Sequence, residues 1–422
     1  MERRGAPKRE VGEGTIPRVE TEVVEIRGHI IDSLILPRVL DEIVEAGADY
    51  RIATFEVGKS HDDPSYARIE LSAERDVLDR LLGRLADLGA TPPDTGDVTL
   101  VPADMDGVFP ETFYSTTNLP TQVRIAGEWV WVESPEMDCG IVVDGKRART
   151  VPMSEIKAGD QVASGHAGIK VHPLERPRGG AGQTFSFMSS EVSSEKPQGL
   201  MVQRISETMR AVREQGKKIL WVLGPAVVHT GSVDAFCALI RSGWVDVAFA
   251  GNAIATHDSE AAIFGTSLGV SLSEGIPTEH GHEHHIRAIN AVRRAGSFKA
   301  AVEQGLLTDG VMYHLVKHKV DYVLGGSVRD DGPMPEVITD VLEAQRQMRA
   351  RVPGLGMAIM VSTMLHSIAT GNLLPASVPI VCVDINPAAV TKLVDRGSIQ
   401  SVGMVTDVGL FLRQLATALD AT

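Results

Sequence analysis

From about residue 198 to the end, apolar runs alternate with segments of helical spacing, and this alternation restricts the fold more than any other feature. The runs are Lys218–Leu223, Val245–Ala250, Val320–Leu324, Met357–Val361, Ile380–Asp384 and Ser401–Val405. Each is rich in β-branched or aliphatic residues and lacks the strict apolar–polar alternation of a strand with one wet face, as expected of strands covered on both sides. Strand–helix alternation of this kind builds a mostly parallel sheet flanked by helices. The fold class is therefore α/β, with a Rossmann-like sheet domain over residues 181–422.

Every run leads into a small polar cluster: Gly224 to Gly231, Gly251 to Asp258, Gly325 to Asp331, Thr363 to His366, Asp384 to Asn386, and Thr406 with Asp407. Ligands of open parallel sheets bind outside the carboxyl ends of the strands, where loops and helix N-termini offer unpaired N–H groups. That many polar clusters on one edge point to a nucleotide or similar ligand. Asp384 follows the turn after Met357–Val361 by about 20 residues, the offset of a ribose-reading carboxylate. A carboxylate there disfavours a 2′-phosphate and selects NAD over NADP. The competing reading is that Asp384 caps the helix that starts near Pro387. There is no full G-x-G-x-x-G, because Gly354 and Gly356 precede their strand. The phosphate contacts are instead expected from backbone amides of Thr363, Met364, Leu365 and His366. Asn252 and Ala253 follow a glycine that lets backbone approach a ligand closely. Asp331 and Asp407 are placed to bind sugar hydroxyls or a carboxamide.

Upstream, residues 1–19 read as a tail and residues 20–120 as a ferredoxin-like α+β domain. Strand patterns at Thr21–His29, Tyr50–Val57 and Ala67–Leu71 and helical patterns at Leu34–Ala46 and Glu74–Leu88 lead to a last strand at Val98–Val101, the βαββαβ order. Residues 121–180 form a β-rich, barrel-like module of short strands with turns at Gly127, Asp144-Gly145 and Gly159-Asp160. The glycine-rich stretch Arg176 to Gly182 and the serines around Ser189 to Ser194 read as a linker. The loop Gly58 to Pro64 is a solvated hairpin or, in a functional reading, a place from which Lys59 and His61 hold an amino-acid carboxylate.

A net charge of −14 over 422 residues excludes a phosphate-backbone binder, so no nucleic-acid partner is expected. No apolar stretch is long enough to span a bilayer. Cys139, Cys237 and Cys382 form no C-x-x-C pair, and a sparse, odd set suits a reducing, cytoplasmic setting. The run His280 to His285 invites a metal reading, but it has no supporting cysteine or helical H-x-x-x-H face, so no metal is expected.

The segments Arg27 to Ser33, Gly58 to Pro64, Gly251 to Asp258, Gly325 to Pro333 and Val383 to Pro387 resemble the lysine-oxoglutarate-reductase/saccharopine-dehydrogenase conserved-region family. Its members include archaeal-type ornithine cyclodeaminases and the C-terminal half of cyanobacterial arginine-degrading bifunctional enzymes. The resemblance runs from about residue 20 to the end and implies a fold related to deoxyhypusine synthase. It also implies NAD contacts from Asn252, Ala253, Asp331, Thr363, Met364, Leu365, His366, Asp384, Asp407 and Val408. Ser259 departs from the family pattern, which has an aliphatic residue there. The implied activity is conversion of L-ornithine to L-proline and ammonia, with hydride leaving and returning within one cycle. His257 and Asp258 are the expected proton acceptors, and a homo-oligomer is expected. The alternatives are an amino-acid or opine-type dehydrogenase with net hydride transfer, or an NAD-containing amino-acid sensor.

Overall fold

The computed structural model describes residues 19–31, 33–59, 63–93, 96–173, 198–271, 281–330, 332–395 and 401–421. By internal contacts the chain divides into two units, one holding the residues up to Val98 with Arg124–Glu128 and Gly165–Glu175, the other holding Thr99–Val123, Trp129–Ser164 and Arg176–Thr422. Most of the β-rich stretch lies in the same unit as the large sheet.

In the first unit, strands Val19–Gly28, Asp49–Glu56 and Ser65–Glu74 form an antiparallel sheet with Ser65–Glu74 in the middle. Helices Ile35–Glu45 and Arg75–Asp87 follow the first and third strands. Their residues Val39, Ile43, Leu78, Leu81 and Leu85 pack with Val24, Ile26, Ile69 and Leu71 in one core. Strand Asp49–Glu56 is exposed along its length and is tied across to its neighbour by a two-pronged Arg51–Glu70 pair at 3.0 and 2.7 Å. The expected fourth strand of a ferredoxin-like sheet shrinks to a single bridge. Thr91 exchanges hydrogen bonds of 2.8 and 3.0 Å with Glu25. Pro92 and Pro93 follow at once, and neither has an N–H to extend the ladder. Thr99–Pro102 pairs antiparallel with Gln161–Ser164 instead.

In the second unit, Glu128–Glu133, Arg147–Val151, Gly140–Asp144, Gln161–Ser164 and Thr99–Pro102 lie side by side in that order. Thr99–Pro102 stands last in this order. This sheet is fastened to the Rossmann-like domain. The Arg349 guanidinium forks onto the buried Glu136 carboxylate at 2.6 and 2.8 Å, and backbone bonds join Met137 to Asn372 and Ala376 to Asn118.

The large sheet has strands β1 Lys218–Leu223, β2 Val247–Gly251, β3 Asp321–Gly325, β4 Val337–Ile338, β5 Leu355–Val361, β6 Ile380–Asp384 and β7 Ser401–Val405. They are parallel throughout and run β4-β3-β2-β1-β5-β6-β7. Only the two-residue β4 has no counterpart in the sequence reading. Successive side chains of a strand point to opposite faces, and two separate cores result. Ile219, Trp221 and Leu223 enter one core, and Leu220 and Val222 enter the other. All residues of β5 are buried, which explains why its sequence shows no alternation. Trp221 is fully buried and donates its indole N–H to the Trp244 carbonyl at 3.0 Å. Such a side chain contributes about 2–3 kcal/mol by burial alone. Among the described residues, no helix is long and apolar enough to cross a membrane.

Candidate active site

Strand order reverses between β1 and β5, so the crevice of this sheet opens at their carboxyl ends. Gly224 ends β1 there, and a Cβ on it would lie 1.9 Å from the Ser362 carbonyl oxygen. Only glycine lets the two chain segments come this close. Ser362 itself has φ 50°, a left-handed conformation that costs a serine about 1 kcal/mol, and its Oγ is buried without a hydrogen-bond partner among the described residues. A strained residue with an orphaned hydroxyl thus sits at the switch point.

Two helix N-termini open onto this edge. Helix Asn252–Phe264 follows β2 and helix Leu365–Leu373 follows β5, and neither has a side-chain cap. Their first N–H groups have no intrahelical partners and are available to phosphate oxygens. Thr363 and Met364 are half-buried, and Leu365 is 78% exposed. The His366 ring lies against β2 and β3, since a Cβ on Gly251 would come within 3.2 Å of its Nε2 and one on Gly325 within 3.3 Å of its Cε1. Burial lowers its pKa, with Asp330 pulling the other way, so His366 is neutral at pH 7.

Asp384 ends β6 and uses Oδ1 to accept the Asn386 N–H at 2.8 Å. The helix cap is Asn386, which accepts from the Ala388 N–H at 3.0 Å. Asp384 is thus relieved of the capping duty that was its competing reading, and Oδ2 carries no bond among the described residues. The other expected cofactor residues stand differently. The Asn252 side chain is occupied, donating to the Gly332 carbonyl at 3.2 Å and accepting from the Met334 N–H at 2.9 Å. Its part in binding falls to backbone, beside the exposed Ala253. Asp407 caps helix Val408–Ala418 by accepting from Leu410 N–H at 2.8 Å, and Val408 is buried. Asp331 lies outside the described residues. The orphaned Ser362 hydroxyl, two uncapped helix starts and a carboxylate at the end of β6 fit a dinucleotide.

The expected proton acceptors separate sharply. The side chains of His257 and Glu260, three positions apart on helix Asn252–Phe264, share one face of it. His257 Nδ1–H donates to Glu260 Oε2 at 3.1 Å. Glu260 is fully buried and also accepts from the Thr266 hydroxyl at 3.0 Å, Leu268 N–H at 3.2 Å and Gly269 N–H at 2.9 Å. Burial works to raise its pKa, but the bonds from His257, Gly269 and Thr266 outweigh that and hold it ionised below the usual value. Thr266 Oγ1 lies 2.9 Å from His284 Nδ1. The His229 ring meets His257 edge-on at 4.7 Å and hydrogen-bonds Ser267 through Nδ1. Burial, then the neighbouring His257, lowers the His229 pKa, with Glu260 opposing.

Asp258 faces elsewhere. Its carboxylate accepts the Val311 and Met312 N–H groups, each at 2.7 Å, and so holds the start of helix Val311–Lys317. With both oxygens engaged and 1% exposure, its geometry argues against the proton-acceptor role expected from the sequence. Ser259 resolves its departure from the family pattern by donating to the Ala255 carbonyl at 2.8 Å, which hides its hydroxyl within the helix.

Sequence reasoning missed Glu260, Thr266, Ser267 and the role of His284. The three-residue spacing of His257 and Glu260 was the available signal. Of the histidine run, His280 lies outside the described residues and His284 is spent on Thr266. A different trio, Cys237, Asp309 and His314, brings ligand atoms within 4.8 Å of one another. Burial, with Asp258 and Asp309 nearby, raises the Cys237 pKa. In the first unit, Lys59 is exposed and His61 lies outside the described residues. Arg27, Glu56, Pro64 and Tyr66 line a polar hollow there, which brings two of the family-like segments together.

Family models match the chain from residue 21 to residue 415. Residues 21–119 match the LOR/SDH bifunctional enzyme conserved region, 120–202 the ArgZ-like C-terminal first region, and 203–415 the ArgZ-like C-terminal Rossmann fold. An ornithine cyclodeaminase of Methanothermobacter thermautotrophicus is 54% identical over 397 residues, covering 93% of this chain and 96% of that one. The apo structure of the cyanobacterial arginine dihydrolase ArgZ superposes with a TM-score of 0.83 at 39% identity over 98% of this chain and 60% of the other, so the chain spans well under two thirds of that protein. AgrE solved as a ternary complex with ornithine and NAD+ matches at 41% identity and a TM-score of 0.52, over 98% of this chain and 59% of that one. With near-complete coverage at this level of identity, the chain belongs to the archaeal ornithine cyclodeaminase family, whose sheet domain is shared with the C-terminal region of ArgZ-like enzymes.

Proposed function

We propose that this chain is an NAD-dependent ornithine cyclodeaminase that converts L-ornithine to L-proline and ammonia. The observation that carries the reading is the pairing of a dinucleotide-shaped switch point with a histidine, His257, held by a buried carboxylate on the helix that starts at that same edge. The ornithine and NAD+ held by AgrE supply the ligand pair. When bound, NAD supplies a hydride acceptor that later becomes the donor, which explains why a reaction with no net oxidation uses a redox cofactor.

The chain's own residues bind, orient and move protons. Amides at the starts of helices Asn252–Phe264 and Leu365–Leu373 hold phosphate oxygens, and the Ser362 hydroxyl gains the partner it lacks. Asp384 accepts from ribose hydroxyls through its second oxygen. His257 takes a proton from a substrate amino group through Nε2, because Nδ1–H is committed to Glu260. Holding the δ-amine near Cα makes ring closure intramolecular.

Amino-acid analysis after incubation with ornithine and no added NAD tests the reading. Proline and ammonia in equal amounts, without NADH absorbance, are expected. NADH accumulating without proline would establish a dehydrogenase, and ornithine binding without ammonia release would establish a sensor. Asp384→Ala is expected to weaken NAD binding about 10- to 100-fold, the worth of one charged hydrogen bond, measured by calorimetric titration of cofactor-stripped protein. Unchanged affinity would remove Asp384 from the site.

A further inference from the structure

The network around Glu260 has a direction, and that direction fixes the state of two histidines. An ionised carboxylate only accepts hydrogen bonds, so Nδ1 of His257 must carry its proton toward Glu260 Oε2. The Thr266 hydroxyl has a single proton and gives it to Glu260 Oε1 at 3.0 Å. Toward His284 the hydroxyl can then only accept, so Nδ1 of His284 must also carry a proton, at 2.9 Å. In the neutral state both rings therefore keep the lone pair on Nε2. The rings are also held in place, His257 by the edge of His229 at 4.7 Å and His284 by stacking on Phe264 at 4.8 Å and 15°.

We propose that Glu260 is a positioning residue that locks His257 directly, and His284 through Thr266, as a matched pair of Nε2 proton acceptors serving the two amino groups of a diamino-acid substrate. The inference rests on the cyclodeaminase reading and deepens it. Cyclisation needs two proton exchanges with the protein. From the α-imine, the δ-ammonium gives one proton to a base as its nitrogen attacks Cα and passes a second directly to the α-nitrogen, and the α-amino group then takes one more as its bond to Cα breaks and ammonia leaves. One imidazole takes up the first proton and the other, as imidazolium, supplies the last, so the pair together holds as many protons after the exchange as before it. The titratable groups that meet at this point are His229, His257, Glu260 and His284.

The test compares Glu260→Gln, Thr266→Val and Thr266→Ser with the parent in kcat, in its pH profile, and in 15N NMR of the histidine rings. In Glu260→Gln, kcat is expected to fall about 100-fold or more. In the same variant His257 is expected to lose its fixed Nδ1–H tautomer, because a glutamine amide can donate as well as accept. Thr266→Val should depress kcat, and Thr266→Ser should restore it. In the parent, His257 and His284 should both show the Nδ1–H tautomer without substrate. An Nε2–H tautomer at either ring overturns the proposal whatever the activities are. So does a Glu260→Gln enzyme with the parent's kcat and pH profile, or a Thr266→Val enzyme as active as the parent. Absence of proline from the parent itself would strike the cyclodeaminase reading instead, and the tautomer result would still decide the lock.

Discussion

Replacing His257 with Asn is expected to lower kcat for proline formation by about 100- to 10,000-fold, the span a positioned acid–base group contributes. The fold should survive the change. Glu260 keeps Thr266, Leu268 and Gly269 as donors, so no buried charge is stranded when the imidazole goes. His257 is also only partly enclosed, with its side chain 14% exposed. Steady-state rates and a thermal melt on the same preparation separate the two effects. A variant that turns over like the parent would place the proton acceptor elsewhere.

Asp258→Asn, one position along the same helix, is expected to do the reverse and strike stability first. The carboxylate shares its two oxygens between the Val311 and Met312 amides, and an asparagine offers one acceptor and turns an NH2 toward the other donor. One buried, unsatisfied N–H and a donor facing a donor cost about 2–4 kcal/mol. In a domain of this size that corresponds to a melting temperature lower by roughly 5–15 °C. Burial pushes the Asp258 carboxyl from 3.8 up to about 7, against the pull of the two amides. An Asn variant that melts with the parent at every pH would refute the capping role.

These two neighbours show what a sequence discloses and what it withholds. Successive helical residues are turned by 100°, so His257 and Asp258 share a motif but enter different surroundings. The motif identified the helix, while only packing could say that one side chain meets Glu260 and the other a distant helix start. The large sheet was legible because strands buried on both faces leave continuous apolar runs, and β5 and β6 appear in the chain nearly as drawn. Thr99–Pro102 was not, since strand propensity says nothing about which sheet a strand will join. The place of Asp384 at the end of β6 was legible from the apolar run that it closes. Glu260 was not, because a buried acid reads as a solvated one until its four donors are in view.

The turn after β5 constrains the chain by its length more than by its letters. Ser362 swings the backbone through a left-handed step, and helix Leu365–Leu373 then starts in the one phase that buries Ser367, Thr370, Gly371 and Leu373. In the proposed NAD site Met364 and Leu365 would contribute amides whatever side chains they bear, so that role leaves this stretch wide latitude for substitution. It has none for insertion. One extra residue between Val361 and Leu365 would turn the helix by about 100° and shift it about 1.5 Å, carrying its packed face to solvent and its amides off target together.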